Sequence, residues 1–375
     1  MAWQTADGRT SQSCTCRIES LAGKYCKESR LEIKLTKNKM GSINQKSYLV
    51  SNLYQEVKRT KTRDGYGKGL VKAGEKNKNV VVLCADLSES TRSEWFQKKF
   101  PDRYVQVGVA EQNMASLASG MAAAGKIAFM SSYAAFSPGR NNEQIRTTIS
   151  YNSWESKPGK EINVKIAGAH AGISVGPDGA THQALEDVGL MRLQPGMTVI
   201  VPCDDVECEK ATIAAAETPG PVYLRFGRAD YPSITTDKTP FKVGRIEEFR
   251  SGKDCTIVAN GPLVYEALLA AKKLEKEIDC QVLNCHTVKP LDGSTLIKAA
   301  KVTGCMVTAE EHQWQGGLAG AVAEFMGENY PVPIKRVGVK DRFGESGNPE
   351  ELFKVFGLTA DDIVKAVRAA VKMKK

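Results

Sequence analysis

The chain has 375 residues, of which 42% are hydrophobic and 25% charged, and its formal net charge is +9. A chain of this length buries a sizeable core and suggests two or three domains of roughly 100–200 residues each. No apolar run reaches the ~18 residues of a membrane span, and neither a secretory signal nor a nucleic-acid motif is present, so we predict a cytoplasmic protein that binds neither membranes nor nucleic acid.

Residues 1–40 are polar and show no sustained periodicity, which predicts a disordered leader. Three cysteines fall within it, Cys14, Cys16 and Cys26, but no fourth ligand lies at a useful spacing. The four histidines of the chain form no close pair either. We therefore predict no metal-binding site.

Residues 41–236 alternate between helix-like and strand-like segments. The segment 79–85 (NVVVLCA) is continuously apolar, which is typical of a strand buried on both faces of a parallel sheet. Further strands are predicted at 127–131, 163–168, 198–201 and 221–226, and helices at 48–57, 67–74, 110–124, 143–150, 182–191 and 206–217. This alternation predicts a doubly wound parallel-sheet domain of the α/β class.

A segment that contains Pro232 and Pro240 interrupts the alternation, and a second, smaller α/β unit is predicted over residues 237–375. Its last helix, 360–371, has an amphipathic pattern. The strands predicted for this unit are 255–259, 280–284, 304–309 and 334–339, and its other helices are 263–276, 295–301 and 318–326.

Three segments rich in small and polar residues follow predicted strands: 86–92 (DLSESTR), 107–114 (VGVAEQNM) and 168–183 (GAHAGISVGPDGATHQ). Ligands of open α/β sheets bind outside the carboxyl ends of the strands, so these segments predict the site. No G-x-G-x-x-G motif follows a strand and no Walker A motif is present, which removes the motif support for a nucleotide site.

Glu111 is the one acid in a small and apolar helical segment, and two interpretations stay open. A carboxyl among Val109, Ala110, Met114 and Ala115 would be partly desolvated, which favours the neutral acid that donates a hydrogen bond. Alternatively, Glu111 is a surface residue in the first turn of a helix, where the helix dipole favours it.

Several motifs that occur in order resemble those of the transketolase family, and the similarity covers about residues 60–375. They are DGYG after Arg63, ADLSEST at 85–91, GVAEQNM at 108–114, SYAAF at 132–136, GAHAGISVGPDGATHQALED at 168–187, TVKPLD at 287–292 and EEHQWQGGLAGAVAE at 310–324.

The resemblance implies a pyrimidine-binding domain over residues 41–236 and a transketolase C-terminal domain over residues 237–375. It also implies thiamine diphosphate and Mg²⁺ as cofactors. The G-D-G motif with which the family binds the cofactor diphosphate is absent from the chain. The resemblance therefore implies a separate N-terminal subunit, which holds most of the Mg²⁺ ligands, in an α2β2 assembly.

By the resemblance, Glu111 hydrogen-bonds the aminopyrimidine ring of the cofactor and activates it, and Tyr133 and Phe136 pack on that ring. His170 and His182 contact substrate hydroxyl and carbonyl groups and are able to shuttle protons. The other implied substrate contacts are Asp178 with a sugar hydroxyl and Arg63, Ser90 and Arg228 with a phosphate group.

The implied activity is the transketolase reaction of the pentose phosphate pathway (EC 2.2.1.1), in which a two-carbon ketol unit passes from a ketose phosphate to an aldose phosphate. Three alternatives stay open. They are the beta subunit of a 2-oxo acid dehydrogenase first component, a deoxyxylulose-phosphate synthase-like enzyme, and a non-catalytic regulatory paralogue.

Two further segments carry expectations. The triplet at 310–312 (EEH) belongs to the C-terminal domain in the family, so we predict a structural role for it. The segment 137–146 (SPGRNNEQIR) differs in length and content from the single-chain enzymes, which puts the detailed packing around the pyrimidine in doubt.

Overall fold

The continuously apolar segments of the sequence form the buried strands of two sheets. A computed structural model describes residues 41–154, 156 and 159–374, so the predicted leader lies outside the described residues. The strands are β1 Arg59–Lys61, β2 Val80–Cys84, β3 Tyr104–Gln106, β4 Ile127–Tyr133, β5 Val164–Ala169, β6 Thr198–Ile200, β7 Val222–Arg225, β8 Asp230–Pro232, β9 Glu247–Arg250, β10 Cys255–Ala259, β11 Cys280–Asn284, β12 Thr287–Lys289, β13 Met306–Gln313 and β14 Ile334–Val339.

Helices connect most of these strands, and a π-helix, Ile145–Tyr151, lies between α5 and α6. The α-helices are α1 Thr62–Lys76, α2 Ser88–Thr91, α3 Glu94–Lys99, α4 Glu111–Ala123, α5 Asn142–Gln144, α6 Asn152–Trp154, α7 Asp187–Arg192, α8 Asp205–Glu217, α9 Leu263–Leu274, α10 Gly293–Thr303, α11 Leu318–Asn329, α12 Pro349–Val355 and α13 Ala360–Val371.

The first sheet has seven strands in the order β12-β6-β7-β5-β4-β2-β3, and every neighbouring pair is parallel except β12 with β6. Successive residues of β2 point to opposite faces, as the strand geometry requires. Val82 packs with Tyr66 and Phe96 on one face, and Leu83 packs with Met114 on the other. Because helices cover both faces, β2 is continuously apolar.

The second sheet has five strands in the order β14-β13-β10-β11-β9, with β9 antiparallel to β11. Residues of α9 and α13, including Leu268 and Ile363, pack on one face. Residues of α10 and α11, including Leu296 and Val322, pack on the other. The observed α/β architecture, with a larger and a smaller sheet, confirms the predicted fold class.

The chain passes between the two sheets in both directions. Near the start of the described chain, Asn44 donates its backbone N–H to the Phe249 carbonyl in β9 at 3.0 Å. Later, β12 leaves the second sheet and pairs with β6 at the edge of the first. The division of the two domains between residues 236 and 237 stays a prediction.

Most predicted elements are confirmed, but the helix predicted over residues 48–57 is wrong. A short 3₁₀ helix ends at Ser47, and Tyr48 takes a left-handed conformation with φ of 48°. The next turns carry Leu53 and Val57 into the core of the second sheet. The apolar residues of this segment are spaced as in a helix, but the segment folds back on itself through turns. Hydrophobic periodicity alone does not distinguish these two structures. No helix of the described chain is long and apolar enough to cross a membrane.

Candidate active site

The carboxyl ends of four neighbouring strands, β2, β4, β5 and β7, open onto one cavity of about 230 Å³. This position is the usual ligand site of an open α/β sheet. The residues that line the cavity come from the loops after these strands and from the start of α1: Arg63, Glu89, Ser90, Arg92, Tyr133, His170, Asp178 and Arg228.

Glu111 is the first residue of α4, and its side chain is 2% exposed. One carboxylate oxygen, Oε2, accepts a hydrogen bond from Nη1 of Arg140 at 2.8 Å. Asn141 donates to the backbone carbonyl of Glu111 at 3.1 Å, which fixes the start of the helix. Among the described residues, Oε1 of Glu111 has no hydrogen-bond partner. The carboxylate is therefore buried, as one of the two interpretations required, but it is ion-paired.

Aromatic rings connect this carboxylate to the cavity. The Arg140 guanidinium lies 4.7 Å from the ring centre of Phe136. Phe136 stacks on Tyr133 with 5.9 Å between ring centres and meets the edge of His182 at 5.4 Å. Tyr133 in turn lies 4.0 Å from His170. Glu111, Tyr133, Phe136 and both histidines thus belong to one continuous cluster.

His170 is buried directly after β5 in a left-handed conformation with φ of 50°. Burial, with smaller effects of Arg63 and Arg228, lowers the pKa of His170 to about 3. The imidazole is therefore neutral at physiological pH. Its Nε2 lies 3.2 Å from Nη1 of Arg63, a donor, so the proton belongs on Nδ1. His182 is held through its Nδ1 by the Thr181 hydroxyl at 2.9 Å.

The three residues predicted to bind phosphate lie together on the cavity wall. Arg63 donates to the backbone carbonyl of Ser90 at 2.8 Å. Arg228 donates to Asp178 at 3.0 Å and to the Val175 carbonyl at 3.1 Å. Burial lowers the pKa of Arg63, and the charge of Arg92 lowers it further. The structure therefore brings all the predicted site residues together, and the cavity wall carries three arginines, Arg63, Arg92 and Arg228, beside Glu89 and Asp178.

Two arginines at the site were not predicted from the sequence. Arg92 lines the cavity and donates from Nε to Asp64 at 2.8 Å. It is the last residue of the segment 86–92 (DLSESTR), which was predicted to form part of the site, so the sequence did indicate its position. Arg140 lies in the segment after Phe136 whose difference from the family was noted, but nothing in its sequence indicated a contact with Glu111.

Left-handed backbone conformations of non-glycine residues cluster around the cavity. Asp86, Arg92 and His170 have φ values of 59°, 68° and 50°. Each such conformation is uncommon and costs roughly 1 kcal/mol or more, and such residues concentrate at functional sites.

The second sheet supports the glycine-rich loop from behind. Glu311 at the end of β13 is buried and accepts a hydrogen bond from the backbone N–H of Ser174 at 2.7 Å. Tyr231 donates to its other oxygen at 3.3 Å. Glu310 instead accepts from the backbone of Leu318 and Ala319, where α11 begins. One acid of the EEH triplet thus contacts the site loop, and the other caps a helix.

No cluster of histidine, cysteine and acidic residues suited to a metal ion occurs in the described part of the chain. Cys14, Cys16 and Cys26 lie outside that part.

Two family models match the chain. The model for the transketolase pyrimidine-binding domain matches residues 58–233, and the model for the transketolase C-terminal domain matches residues 244–363. The first model covers all the predicted site residues and every strand of the first sheet except β12. The second covers all five strands of the second sheet.

Known proteins of similar length align along nearly their whole chains. A putative transketolase C-terminal section of Methanocaldococcus jannaschii is 42% identical over 314 residues, which cover 83% of this chain and 96% of that protein. A 6-deoxy-6-sulfo-D-fructose transketolase subunit of a Clostridium species is 41% identical and covered to 95%. By contrast, human transketolase is 36% identical, and the match spans 49% of its length.

A solved structure supports the same correspondence. A split-gene transketolase, described as an inactive β4 tetramer, superposes with a TM-score of 0.77 at 46% sequence identity. The match covers 84% of this chain and 99% of the other.

Proposed function

Because this chain belongs to the transketolase family, as the carboxyl-terminal subunit of a split enzyme, we propose that it transfers a two-carbon ketol unit from a ketose phosphate to an aldose phosphate. The observation that carries this proposal is one cluster. In it, the buried Glu111 carboxylate, the aromatic pair Tyr133 and Phe136 and a cavity lined by three arginines follow one another without a break.

The residues of the cluster fit thiamine diphosphate. An aminopyrimidine ring needs an acid at its ring nitrogen and aromatic surface for its face. Glu111 supplies the acid, with one oxygen not engaged in the described structure, and Tyr133 and Phe136 supply the surface. When bound, the cofactor supplies the nucleophile and the electron sink for carbon–carbon bond cleavage. We assign the diphosphate and Mg²⁺ mainly to the N-terminal subunit.

Glu111 would orient and polarise the pyrimidine through a hydrogen bond in which one proton lies between a carboxyl oxygen and the ring nitrogen. Arg140 holds the other oxygen in place, so the carboxylate is fixed in orientation. A fixed group needs no reorganisation during the reaction, which is how preorganised polar groups accelerate chemistry.

The side chains of the cavity supply the hydrogen-bonding and charged groups that a sugar phosphate needs. His170, which is neutral, and His182 are suited to hydrogen bonds with substrate hydroxyl and carbonyl oxygens and to proton transfer. Asp178 accepts from a sugar hydroxyl. Arg63, Ser90 and Arg228 bind the phosphate group, for which guanidinium groups are well suited.

The identity of the sugars is a finer question. One relative is named for 6-deoxy-6-sulfo-D-fructose, and another, from Phocaeicola vulgatus, is named as an apulose-4-phosphate transketolase subunit. A role in the pentose phosphate pathway and a cytoplasmic location stay predictions. The other candidate functions, a 2-oxo acid dehydrogenase beta subunit, a deoxyxylulose-phosphate synthase-like enzyme and a non-catalytic paralogue, have weaker support. The relatives that align along nearly their whole length are named as a transketolase section and a transketolase subunit, and the SVGPDGATHQ loop with Ser90 and Arg228 favours a sugar-phosphate substrate.

The partner is an N-terminal subunit that carries the G-D-G motif, and we propose an α2β2 complex. A relative that this chain covers to 99% of its length is described as an inactive β4 tetramer, which supports the proposal that the chain without this partner has no activity.

Reconstitution tests the proposed function. The chain is mixed with the N-terminal subunit, thiamine diphosphate and Mg²⁺, and ketol transfer between phosphorylated sugars is measured by product analysis. Only the mixture should be active, and Glu111→Gln should lower its rate by roughly 10²-fold or more, with an unchanged circular dichroism spectrum. Activity of the chain alone would refute the split enzyme, and near-normal activity of the variant would refute the role of Glu111.

A further inference from the structure

Three guanidinium groups, not two, face the cavity at the ends of the strands. Arg63 lies in α1, and Arg228 lies in the loop after β7. Arg92 directly follows α2 and has a left-handed conformation. The charge of Arg92 acts on both Arg63 and His170, whose pKa values it lowers. The three positive charges therefore share one small volume.

The ion pairs at the cavity engage two of the three arginines. Asp64 is engaged by Arg92, and Asp178 by Arg228. Arg63 forms no ion pair with the described residues, and its Nε is buried without a hydrogen-bond partner among them. Glu89 also lines the cavity. An unsatisfied buried donor beside two further guanidiniums indicates a site that is completed by an anion.

Two of the three guanidinium nitrogens of Arg92 donate hydrogen bonds to neighbouring residues. Its Nε donates to Asp64 at 2.8 Å and its Nη1 donates to the Glu89 carbonyl at 2.9 Å. Within the described chain, Nη2 has no hydrogen-bond partner. Its side chain is only 17% exposed, so its position is well defined. An arginine fixed on one edge presents its remaining N–H groups in a constant direction.

We propose that Arg92, held in place by Asp64, is a third phosphate-binding arginine and makes the site selective for a phosphate dianion over a singly charged sulfonate. This inference rests on the proposed function, because it concerns the terminal group of the sugar. A phosphate monoester carries close to two negative charges at neutral pH. Each guanidinium therefore gains nearly twice the attraction that it has for a sulfonate.

Binding of simple anions tests the site without any catalysis. The full chain is titrated with inorganic phosphate and with methanesulfonate by calorimetry at low ionic strength. The wild type should bind phosphate more tightly, and Arg92→Gln should weaken phosphate binding roughly tenfold or more while it affects methanesulfonate less. Asp64→Asn should act in the same direction, and Arg92→Lys should retain part of the preference.

The control is Arg245→Gln, because Arg245 is exposed and does not line the cavity. It should leave both affinities unchanged. Phosphate binding by Arg92→Gln equal to that of the wild type would overturn the proposal, as would a wild type without preference for phosphate. Thermal unfolding verifies that each variant is folded, and Arg92→Lys decides the question if Arg92→Gln does not fold.

The reconstituted enzyme separates this inference from the function on which it rests. Arg92→Gln should raise the KM for a phosphorylated aldose roughly tenfold or more and leave the KM for unphosphorylated glycolaldehyde within about twofold. An active wild type whose KM values do not respond to Arg92→Gln overturns the inference alone. A wild type with no ketol transfer overturns the proposed function, and the calorimetric result then decides on the anion site by itself.

Discussion

The Glu111 carboxylate is buried, whereas its partner Arg140 is 48% exposed. Burial of a carboxylate is costly unless hydrogen bonds or charges compensate for it. Because Arg140 reaches the carboxylate from the solvent side, water screens the pair, and its contribution to folding is small. The contact therefore matters mainly for the orientation of the carboxylate.

Arg140→Met should lower activity without much effect on folding. The variant keeps an apolar stem beside Phe136 but removes the donor to Oε2 of Glu111, so the carboxylate becomes free to rotate. We expect a loss of about fivefold in kcat/KM of the reconstituted enzyme, partly restored by Arg140→Lys, and a change of at most about 1 kcal/mol in the free energy of unfolding. Arg59→Met, at a similarly exposed arginine, is the control. Unchanged kinetics would show that Arg140 does not position Glu111.

A second buried acid, Glu207, lies outside the site. Its carboxylate accepts hydrogen bonds from the Cys203 backbone at 2.7 Å and from Asn284 at 2.6 Å. Burial, followed by the charge of Asp204, raises the pKa of Glu207 from 4.5 to about 7. The folded chain thus retains a proton on Glu207 at pH values at which the unfolded chain has lost it.

This pKa makes folding depend on pH. The folded state binds the extra proton between about pH 4.5 and 7, so the free energy of unfolding should fall across this range, by about 3 kcal/mol for the whole pKa difference. Glu207→Gln should remove most of this slope in urea unfolding measured at several pH values. Glu217→Gln, at an exposed residue of the same helix, should keep it. An equal slope in both variants would contradict the assignment.

Single residues were predictable from the sequence where their chemistry stood out locally. Glu111 is an isolated acid in an apolar segment, and His170 and Asp178 lie in a glycine-rich segment after a strand. Arg140 could not be predicted, because its contact with Glu111 spans 29 residues and depends on how the chain folds back after β4. The segment 86–92 was predicted to form part of the site. The role of Arg92 became evident only from its contact with Asp64, which the sequence does not indicate.

At the scale of elements, the glycine-rich loop depends on the strand behind it. Gly172 has φ of 85°, and a Cβ atom there would lie 2.3 Å from the Glu311 carboxylate. That carboxylate holds the Ser174 backbone. Strand β13 of the second sheet therefore sets the position of a loop that carries His170, Asp178 and His182.

Two glycines should respond to alanine in opposite ways. Gly172→Ala introduces both a left-handed alanine and a collision, so it should destabilise the chain by roughly 1–3 kcal/mol and raise the KM for sugar. Gly120 lies within α4 with nothing near its missing Cβ atom, so Gly120→Ala should stabilise the isolated chain by roughly 0.5–1 kcal/mol. Thermal unfolding of the two variants provides the comparison, and a stable Gly172→Ala variant with normal KM would argue against support by Glu311.

Long elements with strong periodicity were predictable, whereas most of the three-residue strands were not. The amphipathic helix predicted over 360–371 and the apolar strands at 255–259, 280–284 and 334–339 have the bounds that the structure shows. The strands β1, β3, β8 and β12 have three residues each, too few for a periodic pattern, and only the three-residue strand β6 was predicted. Their conformation depends on the neighbouring strand, which local sequence does not encode.

At the scale of the whole molecule, the succession of domains was predictable because strands and helices alternate in each half. The exchange of segments between the sheets was not. Nothing in residues 41–44 indicates that they lie along β9, and nothing in residues 287–289 indicates that they extend the other sheet. Such contacts join positions far apart in the chain, and a single sequence gives no measure of them.

The position of β12 on the edge of the first sheet has a mechanical consequence. A cut in the exposed connection at Asp237 and Lys238 severs the backbone but breaks none of the hydrogen bonds through which β12 and residues 41–44 hold the opposite sheet. With a specific protease site inserted there, the nicked protein should run as two bands on a denaturing gel and elute as one particle on gel filtration. The exchanged segments should keep the two fragments associated without a covalent connection. Elution of two separate fragments would show that these contacts are not sufficient.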